Sequence, residues 1–309
     1  MSLKTKLCGL LVLLAVSCAH NESLHSEEPT SSYLIEAADL HSKINRSSIK
    51  VLDFRKEAKY EEAHIPGAVN IWRSDIEDSS YAYGGMMAPA SQIETLFSEF
   101  GIKSTDTLVI YDDNGLCNAA RLWWILQNYD FANVRLLHGG LSAWRENGGS
   151  VSKEIPTPKV ELFSLGQSHS MRFHLSREEM KDAVYEGGLI LDTRTEDEFS
   201  GKRRKRGAAK GGRIPGSVHI DWAETIHYDS DMKIKSIDQL EAIYAPLVES
   251  KSQPIIVYCH SGVRSAHTTF ILTQLLGCTD VKNYDGSWTE WSHFDQLPTE
   301  RDSLTQIEI

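Results

Sequence analysis

Apolar residues in this chain are gathered into short runs separated by polar, turn-forming stretches. Leu189–Asp192 and Ile255–Tyr258 are compact and rich in β-branched side chains, and they predict strands buried on both faces. Ser91 with Glu94, Ser176 with Glu179 and Ser236 with Gln239 have the spacing of capping boxes and predict helix starts. A further helical stretch is predicted over 266–276. Strands alternating with helices make this an α/β chain, with mostly parallel sheets covered by helices on both faces.

The amino terminus departs from this rhythm. Lys4 and Lys6 precede a longer apolar run, Leu7 to Val16, followed by Ser17, Cys18 and a polar stretch reaching Ser32. A basic start followed by about ten apolar residues has the pattern of a secretory signal, too short to span a bilayer stably. Small residues before a cysteine resemble the lipobox of bacterial lipoproteins, in which the cysteine becomes the lipidated first residue. Ala15 stands where that pattern prefers Leu. Two readings follow: residues 1–17 as a signal, lipidated Cys18 and a polar tether over 18–32, or an ordinary cleaved signal with Cys18 incidental. The first places the protein in the bacterial cell envelope, periplasmic or membrane-anchored. No later stretch is long and apolar enough to cross a membrane.

The rest of the chain repeats itself. Val51-Leu52-Asp53-Phe54-Arg55 is echoed by Ile190-Leu191-Asp192-Thr193-Arg194, and His64-Ile65-Pro66-Gly67 by Arg213-Ile214-Pro215-Gly216. Val109-Ile110-Tyr111-Asp112 is echoed by Ile256-Val257-Tyr258-Cys259, and Gly139 to Trp144 by Asp285 to Trp291 in its Gly and final Trp. The same order in both halves predicts a duplicated domain. Residues 33–149 and 172–302 are the two copies, and 150–171, with Pro156 and Pro158, is the linker.

A net charge of −11 argues against general nucleic-acid binding. Five cysteines in 309 residues do not make a disulfide scaffold. No His/Cys cluster has metal-ligand spacing and no glycine-rich nucleotide loop occurs, so neither metal nor cofactor is expected.

The chemistry is expected at Cys259-His260-Ser261-Gly262-Val263-Arg264-Ser265. A cysteine leaving a buried strand just before a helix sits where backbone N–H groups converge, which favours thiolate over thiol. Gly262 lets the loop close tightly, and Arg264 adds positive charge. This segment resembles the active-site loop of rhodanese-type sulfurtransferases. Both Ile-Pro-Gly motifs and Tyr284-Asp285-Gly286-Ser287-Trp288 extend the resemblance from about Tyr33 to Phe294. It implies two tandem rhodanese domains. The first is inactive, because Asp112 stands where Cys259 stands in the second.

The reaction implied by the resemblance is sulfur transfer through a Cys259 persulfide, from a small anionic donor to cyanide or a thiol. Arg194 matches a family arginine near the donor anion, and a structural ion pair is its rival reading. Ser261 is placed to hydrogen-bond the sulfur and His260 to face the entrance, beside Gly262, Val263, Arg264 and Ser265. Thiosulfate-preferring members read Cys-Arg-Lys-Gly-Val, and mercaptopyruvate-preferring ones Cys-Gly-Ser-Gly-Val. Ser261 fits the second pattern. The mercaptopyruvate enzymes also use a first-domain histidine, whose segment aligns here with Tyr83-Gly84-Gly85-Met86, where none occurs. Thiosulfate is therefore the expected donor, and 3-mercaptopyruvate the alternative. A related phosphatase needs Arg one place later, where this chain has Ser265. A non-catalytic thiol-binding or redox-sensing module is the rival of another class.

Lys202 to Arg206 is a run of five cations inserted relative to the first half. It reads as a solvated loop, a funnel for small dianions or a contact for anionic lipid. Cys117 and Cys278 read as buried thiols, with a disulfide or a resolving role as alternatives.

Overall fold

A computed structural model describes residues 31–302. The apolar run Leu7 to Val16 and Cys18 lie outside the described residues. In the first half the elements are β1 (Leu34–Ile35), α1 (Ala37–Lys43), β2 (Ile49–Asp53), α2 (Glu57–Glu62), β3 (Val69–Asn70), α3 (Ala90–Glu99), β4 (Thr107–Tyr111), α4 (Cys117–Asn128), β5 (Val134–Leu137) and α5 (Gly140–Glu146). The second half repeats them as β6 (His174–Leu175), α6 (Arg177–Glu186), β7 (Leu189–Asp192), α7 (Glu196–Phe199), β8 (Val218–His219), α8 (Ile237–Tyr244), β9 (Ile255–Tyr258), α9 (Val263–Phe270), β10 (Val281–Tyr284) and α10 (Ser287–Trp291).

Each half is one five-stranded sheet, ordered β1-β5-β4-β2-β3 and β6-β10-β9-β7-β8. Every strand pairing is parallel. The strands therefore all end at one edge, where open α/β sheets place their ligands. The two predicted strands occupy the residues read from the apolar runs. Ser176 and Ser236 cap their helices, each accepting an N–H three residues on and receiving the reciprocal Glu179 or Gln239 side chain.

Ser91 does not cap. Helix α3 begins at Ala90, with Pro89 before it. Glu94 is drawn instead to the linker, where Oε1 accepts the Leu165 N–H at 2.8 Å. The linker is a packed strap rather than a free tether. It exchanges backbone bonds between Ser152 and His64 and buries Phe163 edge-on against Phe97 at 5.0 Å. The helix predicted over 266–276 begins earlier, at Val263, and loosens into a π turn over Ile271–Leu275.

The halves are joined through α4 and α9, the helices that follow the equivalent loops. Every residue of α4 is buried, as expected of a helix enclosed on all sides. Trp123 meets Phe270 edge-on at 5.0 Å, and one apolar cluster runs through both halves. Within it lies a buried ion pair. Arg121 Nη2 donates to Asp285 Oδ1 at 2.6 Å, each side chain 2% exposed.

Replacing Arg121 by Leu strands the Asp285 carboxylate without its cation. We expect a loss of about 3–5 kcal/mol, read as a lower urea midpoint with an unchanged slope. A midpoint equal to wild type would assign the pair no structural weight.

Candidate active site

Cys259 follows β9 directly and is 1% exposed. The loop after it is held open by bonds to its carbonyls. Trp288 N–H donates to Cys259 O at 3.0 Å and Thr289 N–H to His260 O at 2.8 Å. Asn283 Nδ2 donates to Gly262 O at 3.2 Å. Ser287 Oγ accepts from both Cys259 N and Gly262 N, at 3.2 and 3.0 Å, and donates to Tyr284 O. With these three carbonyls turned away, the N–H groups of Ser261 and Ser265 are the ones left to act on the sulfur. Gly262 adopts φ +73°, and a Cβ there would lie 2.7 Å from Asp285 O and Arg121 Nη1, so only glycine fits.

Burial pushes the Cys259 thiol up, but opposing groups outweigh it and its pKa is lowered overall. They are the Arg264 guanidinium, the Ser265 hydroxyl and the N–H groups of Ser265 and Ser261. Arg264 is itself gripped by Glu198, with contacts of 2.7 and 3.0 Å.

The first half contains the same cradle around a carboxyl group. Asp112 accepts from the N–H groups of Asn114, Leu116, Asn118 and Ala119 at 2.7 to 3.0 Å. Asn114 and Asn118 occupy the places of Ser261 and Ser265. A carboxylate that cannot take up sulfur fills the space that the Cys259 sulfur takes in the second half.

The model of the rhodanese-like domain matches residues 36–147 and again 176–294. The chain belongs to the rhodanese-like sulfurtransferases. This rhodanese is 30% identical over 304 residues to a thiosulfate sulfurtransferase of Corynebacterium glutamicum, covering 94% of this chain and 96% of the relative. It is 33% identical over 251 residues to the sulfur carrier protein TtuD of Thermus thermophilus, covering 77% and 86%. Among solved structures, SseA of Escherichia coli, a 3-mercaptopyruvate sulfotransferase, matches with TM-score 0.73 and 26% identity, covering 84% of this chain and 99% of that one.

Several expected site residues of this rhodanese sit differently from the expectation. Arg194 is 1% exposed and bound to Asp192, with Nη2 also donating to Gly212 O at 2.8 Å. Arg55 pairs with Asp53 in the same way in the half that lacks the cysteine. A pair present with or without the nucleophile braces the end of a strand, so the ion-pair reading of Arg194 replaces the donor-binding one. Ser261 faces the sulfur with its N–H rather than its hydroxyl, and the Ser265 hydroxyl, buried without another hydrogen-bond partner among the described residues, is the one in the sulfur's surroundings. His260 does not face the entrance. It is buried beneath the basic insertion, with Nε2 3.0 Å from Arg206 O, and burial and nearby Lys205 push its pKa down to about 4.

Residues outside the cysteine loop also reach the site. Lys205, within the conspicuous basic run, lies at the mouth. Partial desolvation and then Arg264 pull its ammonium below its ordinary value, while Glu198 and the Cys259 sulfur oppose them. Arg73, from the first domain, binds Asn118 Oδ1 at 2.6 and 3.0 Å and lies near Cys117 and Lys205. Cys117 is 1% exposed, and its thiol is pushed up by burial. Gly85, also from the first domain, presses on the loop so closely that a Cβ would lie 2.6 Å from that of Ser261.

Replacing Arg264 by Gln removes the strongest group favouring the thiolate. We expect the alkylation rate of Cys259 by iodoacetamide to titrate at higher pH, with a smaller shift for Ser265→Ala. Unshifted profiles would separate Arg264 from the sulfur's ionisation.

Burial and the Arg264 pairing act oppositely on Glu198, and the pairing prevails, holding the carboxyl at about 2 against an ordinary 4.5. The folded value lies below the unfolded one, so its contribution to stability is complete above pH 4.5 and is lost as pH falls through about 2. Urea midpoints measured across that window should fall less steeply in Glu198→Gln. Equal slopes would contradict the assignment.

Proposed function

We propose that this rhodanese moves sulfane sulfur from thiosulfate to cyanide or a thiol through a persulfide on Cys259. The observation that carries the proposal is the Cys259 sulfur within an N–H cradle beside Arg264. The cradle favours the anionic form that both attacks the donor and, as persulfide, waits for the acceptor.

The Cys259 thiolate attacks the outer sulfur of thiosulfate. A Cys259 S–S bond forms, the sulfur–sulfur bond of thiosulfate breaks, and its electron pair leaves with sulfite. The persulfide keeps one negative charge, held by the Ser261 and Ser265 N–H groups. Cyanide or a thiolate then attacks the outer sulfur, and thiocyanate or a new persulfide leaves while Cys259 returns to thiolate. No proton moves on the enzyme in either half.

Arg264 has both terminal nitrogens committed to Glu198, so the uncommitted positive charge facing a donor dianion comes from Lys205 and Arg73. Mercaptopyruvate is the second reading, favoured by Ser261 and by the likeness to Escherichia coli SseA. Its sulfur arrives as a thiol, whose proton has to be managed. The first-domain segment that packs on Ser261 presents Gly85 there, which has no side-chain base.

We also infer that Cys18 carries lipid and anchors the enzyme to a bacterial membrane, with both rhodanese domains in the cell envelope. The apolar run ending in Ala15-Val16-Ser17-Cys18 and the polar residues after it support this. Mass spectrometry of the mature amino terminus from a bacterial host should find a lipidated Cys18. A terminus beginning after Cys18 would exclude the anchor.

Intact mass after thiosulfate treatment should show one added sulfur on wild type and none on Cys259→Ser. The kcat/KM with cyanide should be higher for thiosulfate than for 3-mercaptopyruvate. Lys205→Met should raise KM for thiosulfate about tenfold with little change in kcat, as for a lost ground-state ion contact. A higher kcat/KM for mercaptopyruvate would overturn the donor assignment.

A further inference from the structure

The run Lys202-Arg203-Arg204-Lys205-Arg206 lies at the mouth of the site on a fixed backbone. Arg203 N–H donates to Asp197 O at 2.7 Å, and Ala209 N–H to Ser292 Oγ at 3.0 Å. Trp288 Nε1 donates to Lys210 O at 3.0 Å, and the His260 ring lies under Arg206 O. All five side chains reach solvent. Lys202 lies 3.4 Å from Asp197, and Arg204 Nη1 donates to Ala209 O at 3.3 Å. The guanidinium groups of Arg203 and Arg206 have no partner among the described residues.

Five consecutive cations repel one another, and here the backbone bonds hold them together in a chain whose net charge is −11. Of this run, a small donor needs only the cation nearest the sulfur, Lys205, beside Arg73 of the first domain. The other four point to where a molecule larger than thiosulfate would rest. None of the large apolar side chains that are exposed elsewhere lies in 201–212, so the patch has no apolar group to insert into a bilayer. Cys259 is 1% exposed, so an acceptor thiol can reach the persulfide only on a thin, protruding segment.

We propose that this patch docks an acidic protein that accepts the sulfur, presenting a cysteine on a loop or chain end flanked by Asp and Glu. The proposal rests on the persulfide reading above and names its acceptor. The acceptor thiolate attacks the outer sulfur of the Cys259 persulfide, a sulfur–sulfur bond forms on the acceptor, and Cys259 departs as thiolate. No oxidant or reductant is consumed. The acceptor's anions meet Lys202, Arg203, Arg204 and Arg206, which raises its local concentration at the mouth.

The test uses two synthetic peptides with a central cysteine, one flanked by Asp and Glu and one by Asn and Gln. With wild-type enzyme loaded by thiosulfate at low salt, transfer per peptide thiolate should be about tenfold faster to the acidic peptide. That preference should vanish in about 0.5 M salt and in Arg203→Glu/Arg204→Glu, while thiosulfate–cyanide turnover stays within about twofold of wild type. Arg203→Gln/Arg204→Gln should be intermediate, and it keeps the test valid if charge reversal disturbs folding. Binding of the acidic peptide with Ser in place of its cysteine, read by fluorescence anisotropy, follows docking without chemistry. Loss of sulfur loading on Cys259 with intact binding would sink the persulfide reading and leave docking standing. Equal rates and equal binding for the two peptides would overturn the docking proposal. So would charge-dependent binding to vesicles of phosphatidylserine and phosphatidylcholine without any peptide preference, which would assign the patch to a membrane surface.

Discussion

A strand that passes through a tight turn into a helix leaves several N–H groups aimed at one point, and those groups need an anion. Both halves of the chain are built around that need. In the first, the carboxyl of Asp112 takes all four N–H donors, although burial still pushes its pKa up. In the second, the sulfur of Cys259 meets the need, which is why a thiol buried to 1% exposure is nonetheless favoured as thiolate. Burial alone would do the opposite, as it does to Cys117 at the start of α4. The cradle persists where chemistry has gone, so it is a property of the fold. The nucleophile is a property of one residue within it.

The inactive half still contributes to the active one. Arg121 leaves the middle of α4 to reach Asp285, and its remaining N–H groups approach the carbonyls of Gly85 and Gly262, one in each half, at 2.7 and 3.4 Å. Asp285 in turn accepts the Met87 N–H at 3.0 Å. One buried pair thereby ties the catalytic loop to the first-domain segment that presses on Ser261. Buried charges are tolerated when further hydrogen bonds complete them, as here. The arrangement is reciprocal. Ile226 and Met232 of the second half pack over Gly115, the counterpart of Gly262, and Ile234 N–H donates to His138 Nε2 at 3.1 Å.

What the sequence made legible was whatever is written locally. The strands β7 and β9 follow from continuous apolar runs, and the duplication from ordered echoes. The caps at Ser176 and Ser236 follow from a spacing that acts within one turn. Ser91 and Glu94 have that spacing too, but Glu94 is claimed by the Leu165 N–H, some seventy residues away. A tertiary contact of that kind leaves no local trace. Arg194 looked equally suited to a substrate or an ion pair, and only the matching Arg55–Asp53 geometry separates them. Lys205 was visible as one of five cations, but which of them comes nearest the sulfur depends on where His260, Trp288 and Ser292 hold the insertion. Gly85 was legible as a missing histidine, and its contact with Ser261 explains why that absence bears on the chemistry.

Charge at the mouth follows from these placements rather than from composition. Arg264 sits closest to the sulfur's own balance, yet Glu198 takes both of its terminal nitrogens. This pairing fixes the guanidinium plane, and on the proposed mechanism it would keep the group from swinging onto a donor and holding the sulfite that forms. A fully free arginine beside a dianion and a cysteine thiolate would bind donor and product alike, which lowers KM without helping turnover. On the proposed mechanism, with Arg264 restrained, the attraction for an incoming dianion falls to Lys205 and Arg73, from which a departing sulfite would be released more easily. The N–H cradle is left to distinguish the persulfide from the free thiol. Its donors point at fixed positions, do not titrate and do not follow the leaving group, so stabilisation stays with the intermediate that the reaction has to hold.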